Sequence, residues 1–454
     1  MEKMRKHRIF FLLFITFVFA FSTSFQNQRL EREKKLRPPL FDQDLKLFNH
    51  GLPFRSRGEA YAPHQVLVKF KVSLSAPQIE ATIASYQSHK IRRIPRIDIY
   101  QLQIPKEFTV EEMLFILRQN PHIEYAEPNP VAYITVIPND PFFGYQYALH
   151  NSGQEIGPPG SPQGKASADI KATSAWEETK GNKEVVIAVI DTGVDLEHPD
   201  IKNKVLSSGR DFANDDYEAV DDNGHGTLVA GIAAAETNNH EGTAGVAWNC
   251  KILPIKAMDE EGSGFYSWII EGIIWAADND ADVINLSLGG DVPAQSLEDT
   301  LQYAFNKDVV IAAAAGNDAG SVIYPAAYDK YCLAVAATDY NDRRPDWSNF
   351  GPEVDVAAPG ERVAGPVPTW FWGPGSFPYA YGFGTSVATP HVAGLAALIK
   401  SIKPWLKAQD LMKIIRYSAE DVNSSTHSGK DDFIGYGRMN MEKALVPIKI
   451  TSLE

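Results

Sequence analysis

The sequence predicts an α/β protein: a mainly parallel central sheet with helices on both faces, three layers deep, preceded by a small α+β domain. Three observations predict it. Beyond residue 180, continuous apolar runs alternate with helical stretches, the pattern of parallel strands buried on both faces. Between residues 63 and 134, strand-like segments instead alternate apolar and polar residues, as half-buried strands do. The charge divides the chain at the same place: residues 1–137 hold 20 Lys+Arg against 13 Asp+Glu, and residues 138–454 hold 23 against 44. The net charge of −14 is therefore the sum of a basic part near +7 and an acidic part near −21. With 454 residues and 44% apolar content the chain can build two or three domains with a large core. The acidic balance argues against nucleic acid as a partner. Two cysteines exclude a disulfide-stapled scaffold and a cysteine-based zinc module.

Residues 1–24 have the order of an export signal. Lys3, Arg5, Lys6 and Arg8 precede an apolar run from Ile9 to Phe21, and Ser22 and Ser24 offer a small-x-small cleavage site. The alternative is an uncleaved membrane anchor, but a span needs about 20 apolar residues and this run is shorter. Residues 25–62 are polar and basic, broken by Pro38-Pro39, and read as a flexible spacer. From Gln65 to Lys71 the chain alternates as a strand, residues 76–87 read as a helix, and Asp98 to Ile104 alternates again. Thr109 with Glu112 makes a capping-box start for a helix that Pro121 ends. Ile123 to Ala126 then closes a β-α-β-β-α-β pattern.

In the acidic part the predicted strands are Val185–Ile190, Ile252–Ala257, Val283–Leu286, Val309–Ala314 and Leu333–Ala337. Helices are predicted at 225–235, 267–279, 296–307, 385–401 and 409–418. In such folds, reactive groups gather at the carboxyl ends of the strands, and four motifs fall there. Asp191-Thr192-Gly193 follows the run VVIAVI, so its carboxylate is desolvated and must be paired. Gly224-His225-Gly226-Thr227 opens a helix, with glycines that let backbone approach the imidazole. Asn317 ends the run AAAAGN, where its amide can donate to a developing oxyanion. Ser386, in GTSVATPH (384–391), stands at the start of a long helix beside free N–H groups. Alone, each has an ordinary reading as a cap, turn or packed residue. Together the ordinary readings fail, because four independent coincidences would be needed in one chain.

The order Asp191, His225, Ser386 is that of subtilisin rather than of chymotrypsin or the α/β-hydrolases. Residues 138–454 resemble a subtilisin-like serine protease, with the thermitase branch closest. The resemblance rests on PNDPFF (138–143), DTGVDLEHPD (191–200), NGHGT (223–227), LSLGG (286–290), AAAGN (313–317), VDVAAPG (354–360), GTSVATPHVAG (384–394) and GYGRMN (435–440), in that order. Residues 63–134, including IEYAEPN (123–129), resemble the propeptide inhibitor and intramolecular chaperone of that family. The resemblance implies a three-layer subtilisin-like fold at 135–454 behind a ferredoxin-like propeptide. It also implies an autoprocessed, exported serine endopeptidase, cut between Val131 and Pro138. Its expected partners are peptide substrates and its own propeptide; it is expected to be monomeric and free of the membrane after signal cleavage.

The resemblance assigns Asp191, His225 and Ser386 to the triad, and Asn317 to the oxyanion hole with help from Thr385. Ser287-Leu288-Gly289-Gly290 and Gly262-Ser263-Gly264 become strands that grip an extended substrate, with Ala315, Gly316 and Ile323 around the primary pocket. Ile323 stands where relatives carry smaller or polar residues, which narrows that pocket against aromatic side chains. Leu228 replaces the family's usual His and Val387 its usual Met, with packing consequences only. The stretch Thr369 to Phe383, with Trp370, Phe371, Trp372, Phe377, Tyr379 and Tyr381, is either a platform for the leaving side of the substrate or a self-packed loop.

Calcium is the implied cofactor, in one or two sites. The acid run Asp211, Asp215, Asp216, Glu218, Asp221 and Asp222 lacks EF-hand spacing, yet so many like charges favour a hard cation. By resemblance, Asp211, Asn214, Asp216 and Glu218 form a second site, and Asp140, Asp200 and Asn239 a tighter one, with main-chain oxygens of Glu236, Glu241 and Thr243. Cys250 and Cys332 border apolar strands and read as buried hydrophobes more readily than as a bridge. The sequon Asn285-Leu286-Ser287 lies in a predicted buried strand and is a false positive. An esterase built on Ser386, Asp421 and His427 would want Gly where Ala388 stands and leaves the DTG and GHG motifs unused. A binding-only pseudoprotease would lack a triad member. A proprotein convertase would need an accessory domain for which the residues after GYGRMN leave no room.

Overall fold

The computed structural model describes residues 61–130, 136–371 and 378–445. The leader, nearly all of the spacer, most of the expected cleavage stretch, and Trp372 to Phe377 lie outside the described residues. Among those described, no helix is long and apolar enough to cross a membrane.

The first domain holds β1 (Tyr61–Phe70), α1 (Ala76–Ser85), β2 (His89–Ile94), β3 (Ile99–Gln103), α2 (Val110–Arg118) and β4 (Ile123–Pro130). Its antiparallel sheet has the order β2-β3-β1-β4. Alternation sends Val66, Val68, Phe70, Tyr100 and Leu102 to a core shared with Met113, Leu114 and Leu117 of α2. The capping box forms as the sequence predicts: Glu112 N–H donates to Thr109 Oγ1 at 3.2 Å, and Thr109 N–H to Glu112 Oε2 at 2.9 Å. Strand β2 carries no inward apolar row, since five of its six residues are exposed; its pairing with β3 defines it instead.

The second domain continues with α3 (Ala172–Ala175), β5 (Val186–Asp191), β6 (Arg210–Asp211), α4 (His225–Ala234), β7 (Lys251–Lys256), α5 (Tyr266–Asp278), β8 (Val283–Leu286) and α6 (Gln295–Asn306). Then come β9 (Val310–Ala314), β10 (Leu333–Thr338), β11 (Val354–Pro359), the antiparallel pair β12 (Val363–Pro366) and β13 (Tyr379–Gly382), and the helices α7 (Thr385–Ile402), α8 (Ala408–Ser418) and α9 (Met441–Leu445). Seven strands form one parallel sheet in the order β11-β10-β9-β8-β5-β7-β6. Successive strand residues serve opposite faces. Ile187, Val189, Val310 and Ala312 join α4, α7 and α8 in one core, while Ala188, Ile190, Ile311 and Ala313 join α5 and α6 in the other. This is the predicted three-layer arrangement. It also explains the continuous apolar strands, because both faces are covered.

Strand β11 adds an edge that the run VDVAAPG does not announce. Its second residue is Asp355, buried on the strand and held by Arg416 Nε at 2.7 Å and Ala334 N–H at 3.0 Å.

Candidate active site

Three neighbouring strands of the sheet, β9, β8 and β5, end on one rim. Asp191 is the last residue of β5, Ser287 follows β8 directly, and Asn317 lies just past β9. Helices α4 and α7 begin with His225 and with Thr385-Ser386. The parallel topology therefore gathers every candidate catalytic side chain on this rim, at strand carboxyl ends and helix N-termini.

Asp191 Oδ1 lies 2.7 Å from His225 Nδ1, and the carboxylate is buried while a third of the imidazole stays exposed. Burial pushes the His225 pKa down, but the charge and hydrogen bond of Asp191, with Asp221 behind it, outweigh burial and raise it above the usual histidine value. Gly226 allows this approach, since a Cβ there would fall 2.1 Å from the Gly193 carbonyl oxygen.

Two charged residues behind the pair escape the sequence reading. Asp221 is fully buried and accepts from Thr192 Oγ1 (2.8 Å), Gly224 N–H (2.8 Å), Asn223 N–H (3.1 Å), Thr227 N–H (2.9 Å) and Thr227 Oγ1 (2.5 Å). Thr192 Oγ1 in turn accepts from Gly226 N–H at 2.9 Å. Asp221 thus locks the loop carrying His225 to the loop carrying Asp191, and within the acid run its oxygens are taken by hydrogen bonds rather than offered to a cation. Lys256, buried at the end of β7, donates to Thr192 O (3.0 Å), Asp222 Oδ1 (2.6 Å) and Met258 O (2.8 Å). A lysine closing the apolar run ILPI was the available signal, because a buried ammonium must be fully paired.

Ser386 is the second residue of α7, within the turn whose N–H groups have no intrahelical acceptor. It makes no hydrogen bond to His225 here; such contacts often tighten only with substrate bound. Pro390 sits one turn later and cannot donate to the Ser386 carbonyl. Ser287 Oγ takes that role at 2.7 Å and is itself held by Asn285 Nδ2 at 2.9 Å. Asn285, the sequon residue, is accordingly buried. Thr385 N–H (2.8 Å) and Thr385 Oγ1 (3.0 Å) both donate to Asn317 Oδ1, which leaves Asn317 Nδ2 to donate elsewhere. A Cβ on Gly384 would lie 3.0 Å from Ser386 Oγ and 3.3 Å from Asn317 Nδ2, so the two groups flank one point. Replacing Asn317 with Leu is expected to lower kcat about 10²–10³-fold with little change in KM, measured by steady-state kinetics.

The substrate-lining residues divide. Ser287 to Gly289 leave the sheet past β8, but Gly290 exchanges N–H and C=O bonds with Tyr324 at 2.8 and 2.9 Å. Its backbone is therefore occupied and cannot pair with substrate as expected. Gly262, expected in an extended strand, closes a turn instead: its φ is +74° and its N–H donates to Asp259 O at 3.0 Å. Ser263 and Gly264 follow that turn. Ala315 and Gly316 likewise spend their backbone internally, on Val335, Ile323, Asn349 and Thr385, and remain wall residues. Ile323 fills the space between them: its side chain comes within 2.7 Å of a Cβ built on Gly289 and 3.2 Å of one built on Gly316.

Leu228 and Val387 pack together, with Ile232 and Val363, as one small apolar cluster. The two departures from the family pattern are thus neighbours, one on each catalytic helix. Of the aromatic stretch, Trp370 Nε1 donates to Asp221 O at 3.2 Å, Thr369 N–H donates to Asp195 at 2.8 Å, and Phe371 lies against Gly224. Half of Trp370 stays exposed.

Of the expected cation ligands, Asp140, Asp200, Asn239 and Thr243 come together. Asp140 accepts from Asn238 N–H at 2.8 Å; Asp200 accepts from Asn239 Nδ2 at 3.2 Å and Thr243 N–H at 2.8 Å. Glu236 N–H reaches the Asp200 carbonyl at 2.7 Å, and Glu241 N–H caps Asn239 Oδ1 at 2.9 Å. Burial raises the Asp140 carboxyl, and burial with the neighbouring Asp140 charge pushes Asp200 up to about 6 against its hydrogen bonds. In the other set, Asp211 is spent on Ala213, Asn214 and its own ladder with Asp216, while Asp216 accepts from Glu218 N–H at 2.8 Å. Arg210 supplies positive charge there, donating to Asp215 and to the Asp216 carbonyl.

The esterase alternative finds no support. Asp421 accepts from Gly429 N–H at 2.8 Å and exposed His427 pairs with Thr426 at 3.1 Å. Cys250 and Cys332 are both free and buried, as expected.

Comparisons with known proteins place the chain in a family. Residues 182–437 match the subtilase family, and residues 53–129 match the fervidolysin N-terminal prodomain. A thermophilic serine proteinase of Bacillus sp. (strain AK1) is 39% identical over 85% of this chain and 88% of its own. Thermitase of Thermoactinomyces vulgaris is 41% identical over 68% of this chain and 99% of its own. A solved protease from Pseudoalteromonas arctica PAMC 21717 superposes with a TM-score of 0.59 at 31% identity, covering 68% of this chain and 99% of that one. Strand-end carboxylate, helix-start histidine and helix-start serine come in the subtilisin order, on the subtilisin sheet, behind a prodomain: the chain belongs to the subtilase family of serine peptidases.

Proposed function

We propose that the chain is an exported zymogen that removes its own basic N-terminal part and then acts outside the cell as a calcium-stabilised endopeptidase. Ser386 Oγ attacks the scissile carbonyl while His225 Nε2 takes its proton. Asp191 holds the imidazole tautomer and stabilises the imidazolium. Asn317 Nδ2 and the Ser386 N–H bind the oxyanion. His225 returns the proton to the leaving amine, and water then releases the acyl group by the same steps reversed. The observation that carries this reading is the 2.7 Å Asp191–His225 bond beside the point flanked by Ser386 Oγ and Asn317 Nδ2. A fluorophosphonate probe tests it: the mature protein takes one label, on Ser386, and an unlabelled serine overturns the reading. N-terminal sequencing of the secreted form places the cut between Val131 and Pro138.

Extended peptides are the proposed substrates, paired along Ser287–Gly289 and at Gly264; Ser263 spends its own N–H and C=O on Asp259. Ile323, wedged between Gly289 and Gly316, sets a shallow primary pocket. Ile323→Gly is expected to raise kcat/KM for Phe over Ala before the cleaved bond by about tenfold or more, read on paired peptide substrates.

Calcium is proposed at Asp140, Asp200 and Asn239, with main-chain oxygens of Glu236, Glu241 and Thr243. Two buried carboxylates stand there beside a buried tyrosine hydroxyl, that of Tyr379, which converges on Asp200 over Gly242. Such a site favours a hard cation. The set Asp211, Asn214, Asp216 and Glu218 fits less well, because Arg210 already balances it and no orphaned oxygen is found there among the described residues. Calcium would supply structural neutralisation, with no part in the reaction. Chelation is expected to lower the Tm of the Ser386→Ala precursor by roughly 3–5 °C from a level of a hundred times Kd; an unchanged scan removes calcium from the reading.

A further inference from the structure

Tyr379, the first residue of β13, walls the Asp140–Asp200 pair. A Cβ on Gly242 would fall 2.0 Å from its Oη and 2.1 Å from Asp200 Oδ2, so both oxygens converge over Gly242. The buried hydroxyl faces Asp200 and helps hold its carboxyl down, without reaching good hydrogen-bond geometry. The ring is fixed by Phe142, with centroids 5.0 Å apart, and by His198, edge-on at 5.4 Å. His198 bridges the cation site and β13: its Nδ1 accepts from Asp200 N–H at 3.1 Å, and its Nε2 lies 3.1 Å from Pro378 O, the carbonyl before Tyr379. Beyond Tyr379, β13 leads within a few residues to Thr385 and Ser386. It has no slack there, since a Cβ on Gly382 would press on Leu228 and Val387 at 2.7 Å each.

We propose that Tyr379 is a positioning residue for Asp200, and that it carries the occupancy of the cation site along β13 to the entry of the nucleophile helix. A carboxylate that gives one oxygen to a cation can turn the other to a donor, and the Tyr379 hydroxyl, already facing Asp200 Oδ2, is the donor at hand. This inference rests on the calcium reading above.

Full-length Ser386→Ala protein, with and without Tyr379→Phe, is titrated with calcium. Two signals are followed: the Tm, and hydrogen exchange of the segment 379–384. In the parent, calcium raises the Tm and protects that segment. Tyr379→Phe is expected to need about 10–100 times more calcium for half of both effects, the range typical of lost outer-sphere partners. Phe142→Leu, which loosens the same ring but keeps the hydroxyl, lowers the Tm at every calcium level without moving the half-point. Equal half-points for the parent and Tyr379→Phe overturn the inference and leave the calcium reading standing. A parent indifferent to calcium overturns that reading itself, and the inference with it. A Tyr379→Phe protein that unfolds early at all calcium levels, with an unmoved half-point, assigns the residue to packing and also overturns it.

Discussion

Replacing Ser386 with alanine is expected to lower kcat on the order of 10⁶-fold and to leave the precursor uncut. Alanine is well suited to the first turn of α7, and the helix keeps its ties there through Ser287 Oγ to the residue 386 carbonyl and Thr389 Oγ1 to Thr385 O, at 2.7 and 2.8 Å. The variant therefore folds with an unchanged Tm, and only the attacking oxygen is lost. What remains is the oxyanion hole and substrate binding, which together leave a residual rate above that in water. Two measurements settle it: peptide hydrolysis, and the size of the secreted chain on a gel. A Ser386→Ala chain that still shortens itself would remove Ser386 from the mechanism.

Asp191→Asn is expected to cost about 10⁴-fold, because an amide can hold the wrong imidazole tautomer. The pH profile separates this from a packing defect. His225 works as a base only when neutral, so kcat/KM falls as pH drops through its pKa, which lies above the usual histidine value. Without the Asp191 carboxylate that inflection moves to lower pH while the plateau drops. Stability has the opposite sign. A raised histidine contributes stability that is complete below its unfolded pKa and is lost as pH rises through its folded one. The variant loses that contribution on the acid side alone. An unmoved inflection would mean that Asp191 does not act on His225.

The parallel sheet and its main helices were legible because each buried strand needs a continuous apolar run and each covering helix an apolar stripe. Asp191, His225, Asn317 and Ser386 stood out as candidates because each lies at, or within three residues of, the end of such an element. Contacts made across long stretches of chain were not. Nothing near Asp221 announces Thr192, and nothing near Lys256 announces Asp222, yet these bonds lock the two catalytic loops. Gly290 read as an open strand because its partner, Tyr324, is distant in sequence. The pair β12 and β13 was hidden for the same reason, and β2 because its residues stay in solvent.

Val387 has a chemical consequence beyond packing. It is 1% exposed and sits directly after the nucleophile. A thioether at that position could be oxidised and, once a sulfoxide, would bring a polar, bulkier group into the apolar cluster beside Ser386. A branched hydrocarbon offers no such target. The same apolar cluster that joins the two catalytic helices therefore also leaves the residue beside the nucleophile inert toward oxidants.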